Sequence, residues 1–155
     1  MQIKTRRFGT ISVEAEEIFH VPEGIPGFTS IRRVVMFAAA ATSAKDAEYD
    51  GHTMFWMQDV DNADVSFLCL VPWEVFPTYD IEVDETEFGI VDDSDVRIMN
   101  LITIRRSPEG MTLTANLRAP LLIDVRQRML RQVILSDTRW SINELIASRS
   151  MPGAK

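Results

Sequence analysis

Short apolar stretches separated by turn-forming residues dominate this chain. Residues 34–37, 53–58 and 65–71 are apolar runs of strand length, and residues 96–105 form the longest such stretch. Gly, Pro, Asp and Ser are frequent between the runs, whereas residues 38–51 are small and polar and predict a surface loop. The predicted strands cover residues 2–8, 11–13, 17–21, 34–37, 53–58, 65–71, 81–83, 96–105, 111–115, 121–125 and 132–135. This spacing predicts an all-β barrel or sandwich.

The end of the chain carries the one clear helix signal. Ser141 and Glu144 have the spacing of a capping box, and the apolar residues that follow share one face of a helix. A Pro-Gly pair at 152–153 would end that helix. The sequence therefore predicts a single domain over residues 1–150 that ends with a short C-terminal helix, and a tail at 151–155.

A Pro-Gly turn shapes the backbone at residues 21–28. Pro26 presets φ for the second position of a type II turn, and Gly27 supplies the positive φ of the third. Gly24 and Phe28 flank these two residues and belong to the same motif. The segment predicts a fixed structural turn.

A second backbone-shaping segment runs over residues 116–124 and enters an apolar strand. Pro120 has no backbone N–H and so withholds one ladder hydrogen bond. The amide side chain of Asn116 can replace missing ladder partners. We therefore expect Asn116 and Pro120 to act on the fold before they act on binding.

The candidate chemistry is sparse. The 155 residues form one domain by length, and they contain two His and one Cys, too few for a zinc finger or a histidine-rich metal site. Cys69 lies in an apolar run, as a buried inert thiol does. No glycine-rich phosphate loop and no G-x-S-x-G motif occur in the sequence. We expect no enzyme activity, no metal and no cofactor.

Charge narrows the choice of partners. A net charge of −7 argues against direct binding to nucleic acid, which requires a basic face. The acids concentrate over residues 80–95, where eight occur without a base, namely Asp80, Glu82, Asp84, Glu85, Glu87, Asp92, Asp93 and Asp95. Such a run is usually a solvated face, but it also attracts a basic partner over long range. Asp92, Asp93 and Asp95 are the candidate contacts for such a partner.

The N-terminus gives no sign of export. Residues 1–8 are basic, but the apolar core of a signal peptide does not follow them. No apolar run approaches the ~20 residues that a membrane-spanning helix needs. We expect a cytoplasmic protein without a membrane partner.

Aromatic residues offer candidate binding anchors. Phe55, Trp56 and Met57 are adjacent, and neighbours in a strand point to opposite faces, so one side of this strand leaves the main core. Trp73 and Phe76 lie on a connection bounded by prolines. The two interpretations are a second small core under long loops and a set of interface anchors centred on Trp56 or Trp73.

Several segments, taken in order, resemble those of a known family. The turn at 21–28 is close to that family's F-P-x-G-I-P-G-F turn, and residues 55–59 resemble its F-x-x-L-Q-S strand. Further similar segments are Phe8-Gly9-Thr10-Ile11-Ser12-Val13, Val65-Ser66-Phe67, Pro77-Thr78-Tyr79-Asp80-Ile81, Thr114-Ala115-Asn116-Leu117-Arg118-Ala119-Pro120-Leu121-Leu122-Ile123 and Gln132-Val133-Ile134-Leu135. The chain is identified on these segments as a member of the flagellar assembly factor FliW family, with Gln132 among its structural residues.

The chain departs from the family pattern in places. Residues 128–131 precede Gln132 where the family often has a glycine-containing turn, and Trp140 stands where tyrosine is common. The predicted C-terminal helix also extends past the segments that carry the resemblance. These departures affect the expected details of the end region.

The resemblance implies a small antiparallel β-barrel-like fold that binds proteins. It implies two partners, flagellin and the RNA-binding translational regulator CsrA. In that scheme the protein binds CsrA and relieves its repression of flagellin translation, and accumulating flagellin captures the protein and frees CsrA. Secretion of flagellin then resets the switch.

Two alternatives remain open from the residues. One is a chaperone that binds flagellin alone, without a link to translation. The other is a small β-barrel ligand-binding or flavin-type protein, in which Arg105 and Arg106, or Arg126, Arg128 and Arg131, would hold a phosphate. A colourless purified protein would count against the flavin alternative.

Overall fold

The described structure consists of strands joined by short turns. The computed structural model describes residues 1–39, 53–82, 89 and 92–150, with backbone alone for 148–150. The strands are β1 (Gln2–Thr5), β2 (Gly9–Ser12), β3 (Phe19–His20), β4 (Arg33–Ala38), β5 (Met54–Asp59), β6 (Ser66–Leu70), β7 (Val96–Ser107), β8 (Gly110–Ala115), β9 (Leu121–Asp124), β10 (Met129–Gln132) and β11 (Glu144–Ser150). Single 3-10 turns occur at Ala15–Glu17, Pro72–Glu74 and Asp93–Asp95. The all-β prediction is confirmed.

Seven strands make a barrel-like ring. The order β7-β6-β5-β4-β3-β10-β9 returns to its start, because β9 also pairs with the first half of β7. The ring is not fully closed, since the parallel pairing of β3 with β10 is a single pair, His20 with Met129. The predicted antiparallel β-barrel-like architecture is thus confirmed, with this one parallel contact as its seam.

The long strand β7 belongs to two parts of the molecule. Its first half lies in the ring, while its second half pairs with β8, and β8 pairs with β11. These three strand segments form an extension that leaves the ring, which we call the flap (β7 from Ile102 onward, β8 and β11). Pairing between β6 and β7 is limited to Cys69 with Leu101 and Leu70 with Asn100. The sheet therefore splits between β6 and the flap.

Side chains alternate across the strands and fill the ring. Phe55 and Met57 of β5 point inward, as do Val34 and Met36 of β4, since alternate residues of a strand share a face. The interior cluster comprises Phe19, Val21, Ile25, Ile31, Val34, Met36, Ala38, Phe55, Met57, Cys69, Met99, Leu121, Ile123 and Leu130. This apolar filling makes the ring a packed core.

Three further apolar clusters lie outside the ring interior, and the smallest of them contains Leu122, Val133 and Leu135. The β1–β2 hairpin lies over the outer face of β4, where Val35 and Phe37 pack with Ile3 and Val13. A third cluster joins the base of the flap to the connection after β6, with Leu70, Tyr79, Ile102, Ala115 and Leu117 buried at its centre. Strand β4 is consequently apolar on both faces, which explains its uninterrupted sequence.

The predicted C-terminal helix is wrong. Residues 144–150 form β11, an antiparallel partner of β8 that pairs Leu145 with Thr114 and shifts register by a bulge between Leu145 and Ala147. The Ser141 hydroxyl accepts a hydrogen bond from the Asn143 N–H at 3.0 Å, which makes a local turn instead of a capping box. The second edge of β8 supplies ladder partners on both sides of this bulge, and the tertiary pairing outweighs the weak local helix signal.

Smaller differences concern the edges of elements. The strand predicted at 132–135 ends at Gln132, and the N–H groups of Val133 and Leu135 instead donate to the carbonyls of Pro120 and Arg118 at 2.9 and 2.8 Å. Residues 81 and 82 lie outside any strand. The predicted loop at 38–51, apart from the end of β4 and residue 39, and the tail at 151–155 lie outside the described residues.

Candidate protein-binding site

Trp73 is the most exposed of the predicted aromatic anchors. Pro72 ends β6 and is buried, and it starts a 3-10 turn that turns the next residue outward. The Trp73 side chain is 43% exposed, yet its indole Nε1 donates a hydrogen bond to the Tyr79 carbonyl at 2.9 Å. Thr53 Oγ1 donates to the Glu74 carboxylate at 2.6 Å and ties the same turn to the start of β5. The indole is thus accessible and held in one orientation.

Tyr79 fixes the connection that carries Trp73. Its hydroxyl donates to the Leu117 carbonyl at 2.6 Å, and the Asn100 side-chain amide donates to that hydroxyl at 3.2 Å. Asn100 also donates to the Asn116 carbonyl at 3.0 Å. Burial raises the pKa of the Tyr79 hydroxyl, so the phenol remains a donor at neutral pH. The Tyr79 ring packs edge-on against Trp140 with centroids 4.9 Å apart.

Trp56 has a different environment. It is half-buried and packs against the cluster beneath the β1–β2 hairpin. The Arg7 guanidinium lies 4.1 Å from the centre of its ring, and Phe8 approaches edge-on at 6.1 Å. Trp56 therefore holds the hairpin against β5, and less of its surface is available to a partner than that of Trp73.

The acidic residues lie where the chain enters β7. Asp92 and Asp93 are exposed and Asp95 is half-buried. Asp92 Oδ1 accepts hydrogen bonds from the Ser94 backbone at 2.9 Å and its hydroxyl at 2.7 Å, and these bonds lower the pKa of the Asp92 carboxyl. The N–H of Val125 donates to the Asp95 carbonyl at 2.9 Å, which places this turn beside the end of β9.

Five further acids belong to the run at residues 80–95, and the structure describes two of them. Asp80 and Glu82 are exposed and follow Tyr79 on the connection that carries Trp73. The hydrogen bond to Asp137 chiefly raises the pKa of the Arg139 guanidinium, and the charge of Asp80 contributes to the same shift. Asp84, Glu85 and Glu87 lie outside the described residues.

The Pro-Gly turn has the predicted geometry. The Phe28 N–H donates to the Ile25 carbonyl at 2.6 Å across Pro26 and Gly27, and Gly27 has φ of 86°. Gly24 also has positive φ, 67°, and a Cβ atom there would lie 2.7 Å from the Thr29 carbonyl oxygen. Phe28 is 44% exposed and stacks edge-on upon Phe67, with centroids 4.8 Å apart.

Asn116 and Gln132 organise the connection between β8 and β9. Asn116 Oδ1 accepts hydrogen bonds from the N–H groups of Arg118 at 3.2 Å and Ala119 at 3.0 Å, directly before Pro120. The Gln132 side-chain amide donates to the Ala119 carbonyl at 3.0 Å. These contacts satisfy backbone groups where the ladder is interrupted.

The arginines considered for a phosphate site lie in separate places. Arg105 and Arg106 are near the turn of the β7–β8 hairpin, whereas Arg126 and Arg128 precede β10 and Arg131 lies within it. Arg131 is paired with Glu23, and the Arg128 guanidinium lies 4.4 Å from the centre of the Phe19 ring. In the second set, two of the three guanidinium groups are therefore already engaged with side chains of the protein itself.

The described residues also define the surroundings of the thiol and of the residues able to bind metal. Within residues 1–39, 53–82, 89 and 92–150, no three His, Cys, Asp or Glu side chains group as metal ligands. Burial raises the pKa of the Cys69 thiol to about 12, so it does not ionise at neutral pH. In the same residues, no helix is long and apolar enough to cross a membrane.

Two features of the site were not predicted from the sequence. The Tyr79–Asn100 network joins residues that are 21 positions apart, and no local pattern signals such a contact. Arg128 has φ of 57°, a conformation that favours glycine, and its carbonyl accepts the His20 N–H at 2.8 Å across the barrel seam. Where the family often has a glycine-containing turn, this chain therefore has Arg128 in a left-handed backbone conformation.

The fold and the exposed surface define a class: a small all-β protein with a barrel-like ring, a three-stranded flap and a preorganised surface tryptophan. Comparison with known proteins gives the family. The model of the FliW protein family matches residues 2–146, and the chain belongs to this family.

Individual relatives agree with that assignment. The chain is 31% identical over 143 residues to the flagellar assembly factor FliW of Treponema pallidum, covering 90% of this chain and 87% of the relative. It is 33% identical over 139 residues to the protein of the same name from Alkaliphilus metalliredigens, covering 87% and 79%. A crystal structure of the flagellar assembly factor FliW superposes with a TM-score of 0.76 at 27% identity, over 95% of this chain and 97% of that one.

Proposed function

We propose that this protein acts in flagellar assembly as a cytoplasmic, non-catalytic regulator with two protein partners, flagellin and CsrA. Binding to CsrA relieves repression of flagellin translation, and binding to flagellin withdraws the protein from CsrA. The support for the flagellar role is membership in a family whose relatives are named flagellar assembly factors. The two partners come from the family resemblance.

The observation that carries protein binding is the environment of Trp73. An indole that is 43% exposed while its N–H is bound to the Tyr79 carbonyl has little side-chain freedom left to lose on association. Tryptophan is also the residue most enriched at interface hot spots. A partner that covers this ring gains apolar burial at low entropic cost.

Charge supports a basic partner. The chain has a net charge of −7, and the exposed Asp92 and Asp93 lie beside the partly buried Asp95 at the entry to β7. An RNA-binding protein such as CsrA carries a basic surface, and opposite charges accelerate diffusional encounter. Acids near the RNA surface would also repel phosphate.

Affinity measurements with both partners test the proposal. Isothermal titration of the purified protein with CsrA and with flagellin should show binding in each case, and flagellin should displace CsrA. Binding of flagellin without CsrA would replace the proposal by the chaperone function. Binding of neither protein would contradict it.

A further inference from the structure

Among the described residues, the split between β6 and the flap leaves backbone groups of both strands without ladder partners. Register between the two strands ends at Cys69 and Leu101, although both strands continue beyond that pair. The Asn116 N–H donates to the Leu101 carbonyl at 2.9 Å, so odd-numbered residues of this part of β7 direct their backbone groups toward β8. Even-numbered residues therefore face the split, namely Ile102, Ile104 and Arg106.

On the opposite wall of the split, β6 also directs backbone groups toward the split. The Asp59 N–H donates to the Val65 carbonyl at 2.9 Å, so odd-numbered residues of β6 face β5. Leu70 pairs with Asn100, and the next two even-numbered residues toward the start of β6, Leu68 and Ser66, direct their N–H and C=O groups into the split. Two strand edges thus face each other beyond the last shared pair.

The side chains around the split suit an apolar strand. On the side that continues the ring interior, Phe67 and Leu101 are both half-buried and pack against the main cluster. Phe28 lies over Phe67 and is 44% exposed, so the aromatic pair forms an open apolar wall. An extended segment that places alternate apolar side chains on this face would cover them.

The outer end of the split is basic in an otherwise acidic protein. Arg105 and Arg106 are exposed there, and Arg7 Nε donates to Ser66 Oγ at 3.4 Å on the opposite wall. Glu109 in the hairpin turn and the exposed Asp64 just before β6 offset two of these three charges. The remaining positive charge complements an acidic end of a bound segment.

We propose that this split is a strand-addition site that binds an extended segment of a partner protein, apolar at alternate positions and acidic at its N-terminal end. The segment continues the role of β6, antiparallel to β7, and its N-terminal end therefore lies beside Arg105 and Arg106. Main-chain hydrogen bonds to Ile102, Ile104 and Arg106 supply affinity, and the aromatic wall and arginines supply specificity. The inference rests on the proposed function only in taking a protein as the ligand.

Hydrogen exchange on the free protein tests the open edge. By NMR, the amides of Ile102, Ile104 and Arg106 should exchange at least about tenfold faster than those of Thr103 and Arg105, which are bonded to β8. Equal protection of the two sets would show that the edge is already paired and would overturn the proposal.

A defined peptide tests binding. The probe is fluorescein-labelled Glu-Glu-Val-Thr-Val-Thr-Val with a blocked C-terminus, and its binding is measured by fluorescence anisotropy. A peptide in which Lys-Lys replaces Glu-Glu serves as the charge control. Two N-methylated versions block one peptide edge each, and the version that is blocked on the edge facing β7 should lose binding. Binding should protect the β7 amides that exchange fast in the free protein. Failure of the probe to bind, or protection of β11 instead, would overturn strand addition.

Protein variants separate this site from the proposed function. Arg106→Pro removes a donor that faces the split, and the double variant R105E/R106E reverses the charge and avoids a proline in the strand. Both should weaken peptide binding at least about tenfold, while the exposed Arg126→Glu should not. If the variants bind the peptide like the wild type, the site is wrong. If the wild-type protein binds the peptide but neither flagellin nor CsrA, the site stands and the proposed function fails.

Discussion

At the residue scale, two glycines of one turn differ in their surroundings. Gly27 has positive φ but no atom within 4 Å of an added Cβ, whereas at Gly24 that Cβ would meet the Thr29 backbone. We expect Gly27→Ala to lower the free energy of unfolding by about 1 kcal/mol and Gly24→Ala by at least about 2 kcal/mol. Urea denaturation measures both. Equal losses would show that the close approach at Gly24 is relieved by backbone movement.

Asn116 is predicted to serve the fold. Asn116→Ala leaves the N–H groups of Arg118 and Ala119 without their acceptor, at a cost of about 1–2 kcal/mol in unfolding free energy. Asn116→Asp keeps an acceptor oxygen and should retain most of the stability. Loss of partner binding by Asn116→Ala at unchanged melting temperature would instead make Asn116 a contact residue.

Burial of the Cys69 thiol predicts that the free energy of unfolding decreases at alkaline pH. Its pKa is raised from 9.0 to about 12 by burial, so the unfolded chain releases this proton at lower pH than the folded one. The stabilising contribution is therefore complete below pH 9 and is lost as the pH rises toward 12. Unfolding free energies of wild type and Cys69→Ala, compared across this range, should converge as pH rises. A constant difference would contradict the assignment.

At the element scale, the C-terminal strand β11 places the neighbouring side chains of Leu145 and Ile146 in different environments, whereas a helix would bury both. Ile146 packs against the cluster at the base of the flap, whereas Leu145 is 57% exposed. Ile146→Ala should cost about 1 kcal/mol or more, and Leu145→Ala close to nothing. Thermal unfolding of the two variants decides the matter, because a helical end would bury both side chains and give similar losses.

Elements were predictable where local chemistry decides them. Pro26 and Gly27 specify their turn without help, and residues 107–110 form a hairpin turn for the same reason. Residues 144–150 were mispredicted because the decisive partner is the edge of β8, whose paired residues lie 29 to 40 positions earlier in the chain. The placement of Trp73 depends on the contact of Tyr79 with Leu117, and no periodic pattern in the sequence indicates that contact.

At the scale of the whole molecule, exposed charge and the anchored tryptophan should affect different kinetic constants. Long-range attraction acts before contact, so replacing Asp92, Asp93 and Asp95 by Asn should slow association with CsrA and reduce its salt dependence. Surface plasmon resonance at low and high salt measures the effect. Identical association rates for wild type and the triple variant would exclude steering by these acids.

The dissociation rate of the partner complexes tests the central claim most directly. Trp73→Ala should speed dissociation from at least one of flagellin and CsrA about tenfold or more, since the ring is a fixed hot spot. Ile134→Ala is the matched control, because Ile134 is 69% exposed but makes no part of the Trp73 surface described above. With both variants folded by thermal melting, faster dissociation for Trp73→Ala alone is the predicted result. Unchanged dissociation of both partners from Trp73→Ala would contradict a binding surface centred on this residue.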